Sequence, residues 1–337
     1  MTRVDDRLED LGDRQPGRRP DSLTSVMAVS RRRSDRPRRP LSGRVVAITG
    51  GARGLGLAMA QRLAGRGARV AIGDLDYELA AAEAGKLPQG CVGLPLDVTD
   101  PAAFKSFLDT TEERLGLLDV LVNNAGIMVV SPFLEEQESL TRRQIDINLH
   151  GVITGMRLAL PGMQERRTGH VVNVASVAGK VGVAGEASYV ATKHAVVGLS
   201  DAVRLELRGT GVELSVMVPG LANTELASGM SAGRGVKLVE PDEVASALVD
   251  ALERPRFEIY VPRRLSALLR INAVLPQAAS DAMARFFETD QVAMKVDKTA
   301  RAAYAARASA GMPPAEPPAP PSAEGEAGGT EVEIQRR

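Results

Sequence analysis

The sequence predicts an α/β chain built on a doubly wound, parallel, seven-stranded sheet with helices on both faces. Three observations predict it: seven short apolar segments, helical segments alternating with them, and a glycine-rich turn between the first strand and the first helix. The predicted strands are Val45–Thr49, Arg69–Asp74, Cys91–Leu96, Leu118–Asn123, His170–Ser176, Val212–Val218 and Glu258–Val261. Each is a short apolar run and most are rich in β-branched residues, the pattern of strands buried on both faces. A helix over Leu55–Ala64 opens after the glycine turn. The helix over Pro101–Leu115 has Asp100 as N-cap and proline in its first turn. Ser188–Leu207 carries apolar residues at helical spacing, and Pro241–Leu252 again opens with proline. Right-handed crossovers then leave few topologies.

Domain organisation follows from composition. Of the 337 residues, 44% are apolar and 25% charged, ordinary values for a globular core that folds without staples. Residues 1–40 are arginine-rich, with six arginines between Arg31 and Arg39, and are expected to form a disordered basic tail, within which Met27 is a second candidate start. Residues 41–262 form the α/β domain and 263–312 a helical extension. Residues 313–337, rich in proline, alanine, glycine and glutamate, are expected to be a second disordered tail. Lysine plus arginine equals aspartate plus glutamate at 42 each, so bulk charge points to no nucleic-acid partner. The single cysteine, Cys91, is expected to be buried and inert; it excludes an intramolecular disulfide and a multi-cysteine metal site. No apolar run reaches the roughly 18 residues needed to span a bilayer, and the N-terminus lacks the pattern of a secretory leader. A cytoplasmic protein is expected.

The first strand runs into Thr49-Gly50-Gly51-Ala52-Arg53-Gly54-Leu55-Gly56. Glycine permits the tight turn and close approach of a pyrophosphate, and the helix that follows offers free N–H groups and a positive dipole end. The second strand ends at Asp74, about 20 residues further on, where a carboxylate can accept from a ribose diol and would repel a 2′-phosphate. That favours NAD over NADP. Arg53 is a counter-signal, because a guanidinium in this loop can pair with a 2′-phosphate.

These motifs, with others further along, resemble the short-chain dehydrogenase/reductase family over roughly Leu41 to Pro262, which carries the Rossmann fold. Thr49-Gly50-x-x-x-Gly54-x-Gly56 is similar to the family's cofactor loop, and Asp97-Val98 to its adenine contact. Asn123-Asn124-Ala125-Gly126 resembles the segment ending the fourth strand beside the cofactor, and Pro219-Gly220 followed by Thr224 the segment holding the carboxamide. Asn148, Ser176 and Tyr189-x-x-x-Lys193 match the four catalytic positions. The glycine spacing argues against the epimerase-like branch that shares the Tyr/Lys pair.

Tyr189 and Lys193 stand on one helical face. A phenol with a pKa near 10 becomes a usable base only if nearby cations lower it by about 3 units, or roughly 4 kcal/mol. The resemblance implies Tyr189 as proton-transfer group, Ser176 as hydrogen-bonding partner of the substrate oxygen, Lys193 on the nicotinamide ribose and Asn148 as holder of a relay water. It also implies a homodimer or homotetramer built on the helices bearing Asn148 and Tyr189. No Gly-x-Ser-x-Gly turn surrounds Ser176, so it is not expected to be a nucleophile. His194 is expected to face packing or solvent. His150 and His170 are isolated, so no metal is expected, and Leu134–Glu138 reads as a solvated helix start.

Substrate choice is expected in 179–187, in 221–235, a candidate mobile lid, and beyond Pro262. The stretch 263–287 is amphipathic, with Leu265, Leu268, Leu269, Ile271, Phe286 and Phe287 among arginines. It is expected either to pack on the core or a subunit interface or to border a lipophilic substrate entrance that touches a membrane surface. The expected reaction is hydride transfer between nicotinamide and a lipophilic secondary alcohol or ketone. Two alternatives stay open: an NADPH-dependent 3-oxoacyl thioester reductase and a non-catalytic dinucleotide-sensing module.

Overall fold

Strand residues with consecutive side chains on opposite faces give this chain two cores, one on each side of a sheet. In the computed structural model, residues 38–88, 90–230, 233–234, 237–288 and 293–309 are described. The sheet contains β1 (Val45–Thr49), β2 (Arg69–Asp74), β3 (Val92–Pro95), β4 (Val120–Asn123), β5 (Gly169–Val174), β6 (Val212–Pro219) and β7 (Glu258–Val261). Its order is β3-β2-β1-β4-β5-β6-β7, with every neighbouring pair parallel. On one face Val46, Ile48, Val70, Ile72 and Val122 meet α1 (Gly54–Ala64), α2 (Tyr77–Gly85) and α7 (Pro241–Glu253). On the other, Val45, Ala47, Leu121, Val171 and Val216 meet α3 (Pro101–Leu115), α5 (Gly151–Glu165) and α6 (Ala187–Glu206). The predicted doubly wound sheet is therefore the observed one, and strand order reverses between β1 and β4, where a crevice opens at the carboxyl ends.

The boundaries differ where side chains capture backbone groups. Predicted strand four starts at Val120, not Leu118, because the Leu118 N–H donates to the Glu112 carboxylate at 2.9 Å. Strand five stops at Val174, before Ser176, whose side chain caps a short 3-10 turn over Val177–Gly179. Strand three begins at Val92, leaving Cys91 half-buried rather than buried. Helix α2 opens on Asp76, which accepts from the Leu79 N–H at 3.1 Å. Between β4 and α5 lies α4 (Glu138–Ile145), joined to α5 by a π-helical turn over Asp146–His150.

The extension after Pro262 is three helices: α8 (Leu265–Asn272), α9 (Gln277–Phe286) and α10 (Lys298–Ala308). The amphipathic stretch is split between α8 and α9, which hold no buried residue; Leu268, Ile271 and Phe286 are more than half exposed. Helix α10 is capped by Asp297, which accepts from the Thr299 and Ala300 N–H groups, and it buries Arg301. Among the described residues no helix is long and apolar enough to cross a membrane. The expected disordered tails lie outside the described residues except for residues 38–40.

Phe104 and Phe107 pack edge to face at 6.3 Å between α3 and the sheet, with Phe104 fully buried. Truncation leaves a cavity that rigid strands cannot close. We expect Phe104→Ala to lower unfolding free energy by about 3–5 kcal/mol in denaturant titration.

Candidate active site

Glycines shape the floor of the crevice because backbone strands meet there with no room for a Cβ. Gly50 has φ +63°, and a Cβ on it would lie 2.9 Å from Ala125 Cα; one on Gly56 would lie 2.2 Å from the Gly50 carbonyl oxygen. Asn124 Nδ2 donates to the Thr49 and Gly50 carbonyls at 3.0 Å each, and the Thr49 hydroxyl accepts from the Asn124 and Ala125 N–H groups. These bonds tie the ends of β1 and β4 together. Arg53, at the N-cap of α1, is extended and provides no side-chain cap, and the first turn carries no acid. The first N–H groups of α1 therefore stay available to an anion.

The cavity above this floor has a volume of about 1500 Å³ and is lined by Gly50, Gly54, Leu55, Asp74, Asp97, Val98, Asn124 and Gly126 at one end, and by Ser176 and Tyr189 at the other. It exceeds the ~300–1,000 Å³ typical of a single drug-sized ligand. Asp74 accepts from the Ala52 N–H at 3.0 Å and from the Asp76 N–H at 3.1 Å. Asp76, which sequence reasoning passed over, holds the Arg53 guanidinium at 2.7 Å. That partner holds the carboxyl of Asp76 below its ordinary range. Asp97 accepts from Thr99, while Val98 is buried with its methyls 3.0 Å from where a Gly151 Cβ would stand. Pro219 ends β6, the Gly220 N–H donates to Val261, and the Thr224 methyl lies 3.5 Å from where a Gly54 Cβ would stand. Most of the sequence-predicted cofactor positions line this cavity; Thr49, Gly56 and Lys193 do not.

Tyr189 and Lys193 occupy successive turns of α6 and are buried, with Lys193 Nζ 5.6 Å from the Tyr189 ring centroid. Lys193 donates to the Val174 carbonyl at 3.0 Å, and burial lowers its ammonium to about 8. Ser176 accepts from the Ala178 N–H, and its hydroxyl favours the ionised form of Tyr189. Asn148 sits in the π-helical turn rather than in regular helix. It accepts from the Ile127 N–H and donates to the Ile127 carbonyl and Thr192 hydroxyl, so its side chain braces the strand-four loop. A π turn inserts one residue and re-aims its backbone, a frequent device at functional sites.

Within the chain alone the Tyr189 pKa is raised above the ordinary phenol value, first by burial and next by the Glu186 carboxylate; Arg301 pulls the other way. Glu186, Arg301 and Tyr304 were not among the predicted site residues. Arg301 donates to the Leu226 and Ser228 carbonyls at 2.8 and 3.2 Å and to the Met128 carbonyl at 2.6 Å, while the Tyr304 hydroxyl accepts from the Met128 N–H at 2.8 Å. An alanine-rich basic helix carries no sequence signal for such docking.

The histidines and the acidic run before α4 differ in their surroundings. His194 is exposed at the cavity edge with Nδ1 2.9 Å from the Val190 carbonyl oxygen, and His150 pairs with Asp146. Glu136 is not merely solvated: the Ser188 and Thr141 hydroxyls donate to it. Among the described residues no group of three or more His, Cys, Asp or Glu is placed to hold a metal.

Burial raises Glu186 from the usual carboxyl value of 4.5 to about 7, opposed by the Arg301 charge; Tyr189 and Tyr304 face the same space. The folded state therefore binds this proton more tightly than the unfolded one. Its contribution to stability is complete below pH 4.5 and is lost as pH rises to about 7. Glu186→Gln is expected to flatten that slope in unfolding free energy measured across pH 4.5–7.

The short chain dehydrogenase family model matches residues 44–235, more than half of the chain. The 1-deoxy-11-beta-hydroxypentalenate dehydrogenase of Streptomyces exfoliatus is 34% identical over 229 residues, covering 65% of this chain and 83% of the relative. The 3-alpha-(or 20-beta)-hydroxysteroid dehydrogenase of Mycobacterium tuberculosis is 36% identical, covering 55% and 72%. The 2,5-dichloro-2,5-cyclohexadiene-1,4-diol dehydrogenase of Sphingobium indicum is 38% identical, covering 55% and 76%. In structure the chain is similar to a short chain dehydrogenase/reductase from Burkholderia phymatum in complex with NAD, with a TM-score of 0.64 and 26% identity, covering 70% of this chain and 94% of that one. With its glycine crevice and its buried Tyr189–Lys193 pair, the chain belongs to the short chain dehydrogenase family, a family of oxidoreductases.

Proposed function

We propose that the protein is an NAD-dependent dehydrogenase of lipophilic secondary alcohols, running in reverse as a ketone reductase. The observation that carries this reading is one cavity joining an anion-receptive helix N-terminus to a buried Tyr189 flanked by Ser176 and Lys193. The glycine floor, which no Cβ could share, fits a dinucleotide pyrophosphate. Asp74 would receive the adenosine ribose diol, with Asp97 and Val98 beside the adenine. Gly126, Pro219, Gly220, Thr224 and Lys193 would hold the nicotinamide half. A nicotinamide held there would supply the hydride exchange with the carbinol carbon.

The chain's own residues handle the proton. Ser176 would hold the substrate oxygen by hydrogen bond, and Tyr189 would remove its proton in oxidation or return it in reduction. Lys193 is poised by burial to share a proton near neutral pH, at about 8. Asn148 would position the relay between Lys193 and solvent. Because the chain raises the Tyr189 pKa, the protonated donor form is the resting form at neutral pH. Sensing without catalysis has less support, since all four polar residues are present and buried or adjacent to the cavity.

NAD preference rests on two carboxylates. Asp74 opposes a 2′-phosphate directly, and Asp76 occupies Arg53, the guanidinium that would otherwise receive one. This also disfavours the NADPH-dependent thioester reductase. The lipophilic substrate rests on Leu265, Leu268, Ile271, Met283 and Phe287 lining the outer cavity, and on relatives named for hydroxysteroid and hydroxypentalenate substrates. The exposed apolar side chains of α8 and α9 support surface contact with a membrane, and the family resemblance supports a homodimer or homotetramer.

An alcohol and ketone panel followed by NADH absorbance tests the reading. Alcohol oxidation is expected to accelerate with rising pH, ketone reduction to persist at neutral pH, and Tyr189→Phe to lower kcat by about 10²–10⁴-fold in both directions. Loss of less than tenfold would overturn the role of Tyr189. Asp76→Asn is expected to release Arg53 and lower the KM for NADP, while Asp74→Ala lowers the NAD:NADP ratio of kcat/KM; an unchanged ratio in both variants would overturn the cofactor assignment.

A further inference from the structure

The substrate end of the cavity holds a carboxyl that the proton-transfer chemistry does not use. Glu186 is 5% exposed and lines the cavity, yet its side chain has no hydrogen-bond partner among the described residues. Its backbone is fixed, since the Glu186 carbonyl accepts from the Val190 N–H at 2.8 Å and its N–H donates to Val183. It stands three residues before Tyr189, within about one 5.4 Å helical turn of the proton-transfer group. Its carboxyl oxygens are open to the cavity and not sealed in the core, so a group that enters the cavity can donate to them.

Tyr304 supplies the complement from the far end of the chain. Its hydroxyl oxygen accepts from the Met128 N–H at 2.8 Å, and its own proton has no acceptor among the described residues. Tyr304 also lines the cavity and is close enough to Tyr189 to raise its pKa. Arg301 lies beneath the Tyr304 ring at 4.7 Å, anchored by three carbonyls. A carboxyl that meets Arg301 through charge but accepts no hydrogen bond, and one uncommitted donor, therefore face the space beside the reacting oxygen.

We infer that Glu186 and Tyr304 form a specificity site for a second hydroxyl group on the substrate, close to the carbinol that is oxidised. That hydroxyl donates to Glu186 and accepts from Tyr304. A neutral hydroxyl fits better than an ammonium, because the Arg301 guanidinium already places positive charge in this space. The substrate class is thus a diol or hydroxy-ketone on a lipophilic frame. This deepens the proposed dehydrogenase function and rests on it for the position of the reacting carbon.

The test uses the full chain with three probes: cyclohexane-1,2-diol, 2-methoxycyclohexanol and cyclohexanol. The diol can both donate and accept at the second position, the ether can only accept, and cyclohexanol can do neither. With NAD, kcat/KM for the diol is expected to exceed that for the ether by tenfold or more, with cyclohexanol lowest. Glu186→Leu is expected to bring the diol:ether ratio within twofold of one. Glu186→Gln, which keeps an acceptor oxygen, retains an intermediate ratio, and Tyr304→Phe narrows the gap between ether and cyclohexanol. A wild-type diol:ether ratio near one, or a ratio that Glu186→Leu leaves intact, overturns the inference. Binding of the same probes to protein mixed with NADH, read by ligand-observed NMR, separates this inference from the dehydrogenase reading. If no probe is oxidised but the diol binds preferentially and Glu186→Leu abolishes that preference, the activity assignment falls and the hydroxyl site stands; equal binding of diol and ether overturns the site.

Discussion

The structure depends on the bond set that joins β1 to β4 where the strand order reverses. Thr49 and Asn124 exchange hydrogen bonds across the carboxyl ends of these strands, each satisfying backbone groups of the other's loop. Parallel strands diverge at such a point, and without these bonds the loops would be free to spread. With them, Gly50 is held against Ala125 so closely that only a glycine fits. The crevice above is then fixed along its floor.

Charge in the crevice is arranged around burial. Lys193 and Tyr189 are both desolvated, which pushes both toward their neutral forms. A lysine close to a phenol does not by itself yield a phenolate when a carboxyl such as Glu186 is nearer in effect. The Tyr189–Lys193 pair on one helical face was legible in the sequence, but the sign of the shift was not, because burial and the acid three residues upstream are tertiary facts. The same holds for Arg53. Its presence in the glycine loop suggests phosphate pairing, yet Asp76, brought beside it by the turn after β2, occupies it at 2.7 Å.

The C-terminal extension behaves as part of the site. Helix α10 reaches back to the loop after β4 through Tyr304 and Arg301, and Arg301 simultaneously holds the Leu226 and Ser228 carbonyls of the segment after β6. A single buried guanidinium thus joins two loops that the sheet leaves separate, using its planar array of donors. The α8–α9 segment contributes apolar lining to the cavity without being buried itself.

The sheet, its helices and the glycine turn after β1 are legible in the sequence, because they rest on local periodicity and on a short motif in which spacing encodes geometry. Val45–Thr49, Arg69–Asp74 and Glu258–Val261 begin and end where their patterns do. Strand ends moved where one side chain caught a distant backbone group, as Glu112 does to Leu118. The π turn at Asn148, the burial of Glu186 and the docking of Arg301 and Tyr304 against the Met128 loop come from tertiary packing. Arg301 and Tyr304 reach Met128 across more than 170 residues of chain, and Asn148 bonds Ile127 and Thr192, 21 and 44 residues away, so no local pattern carries that information.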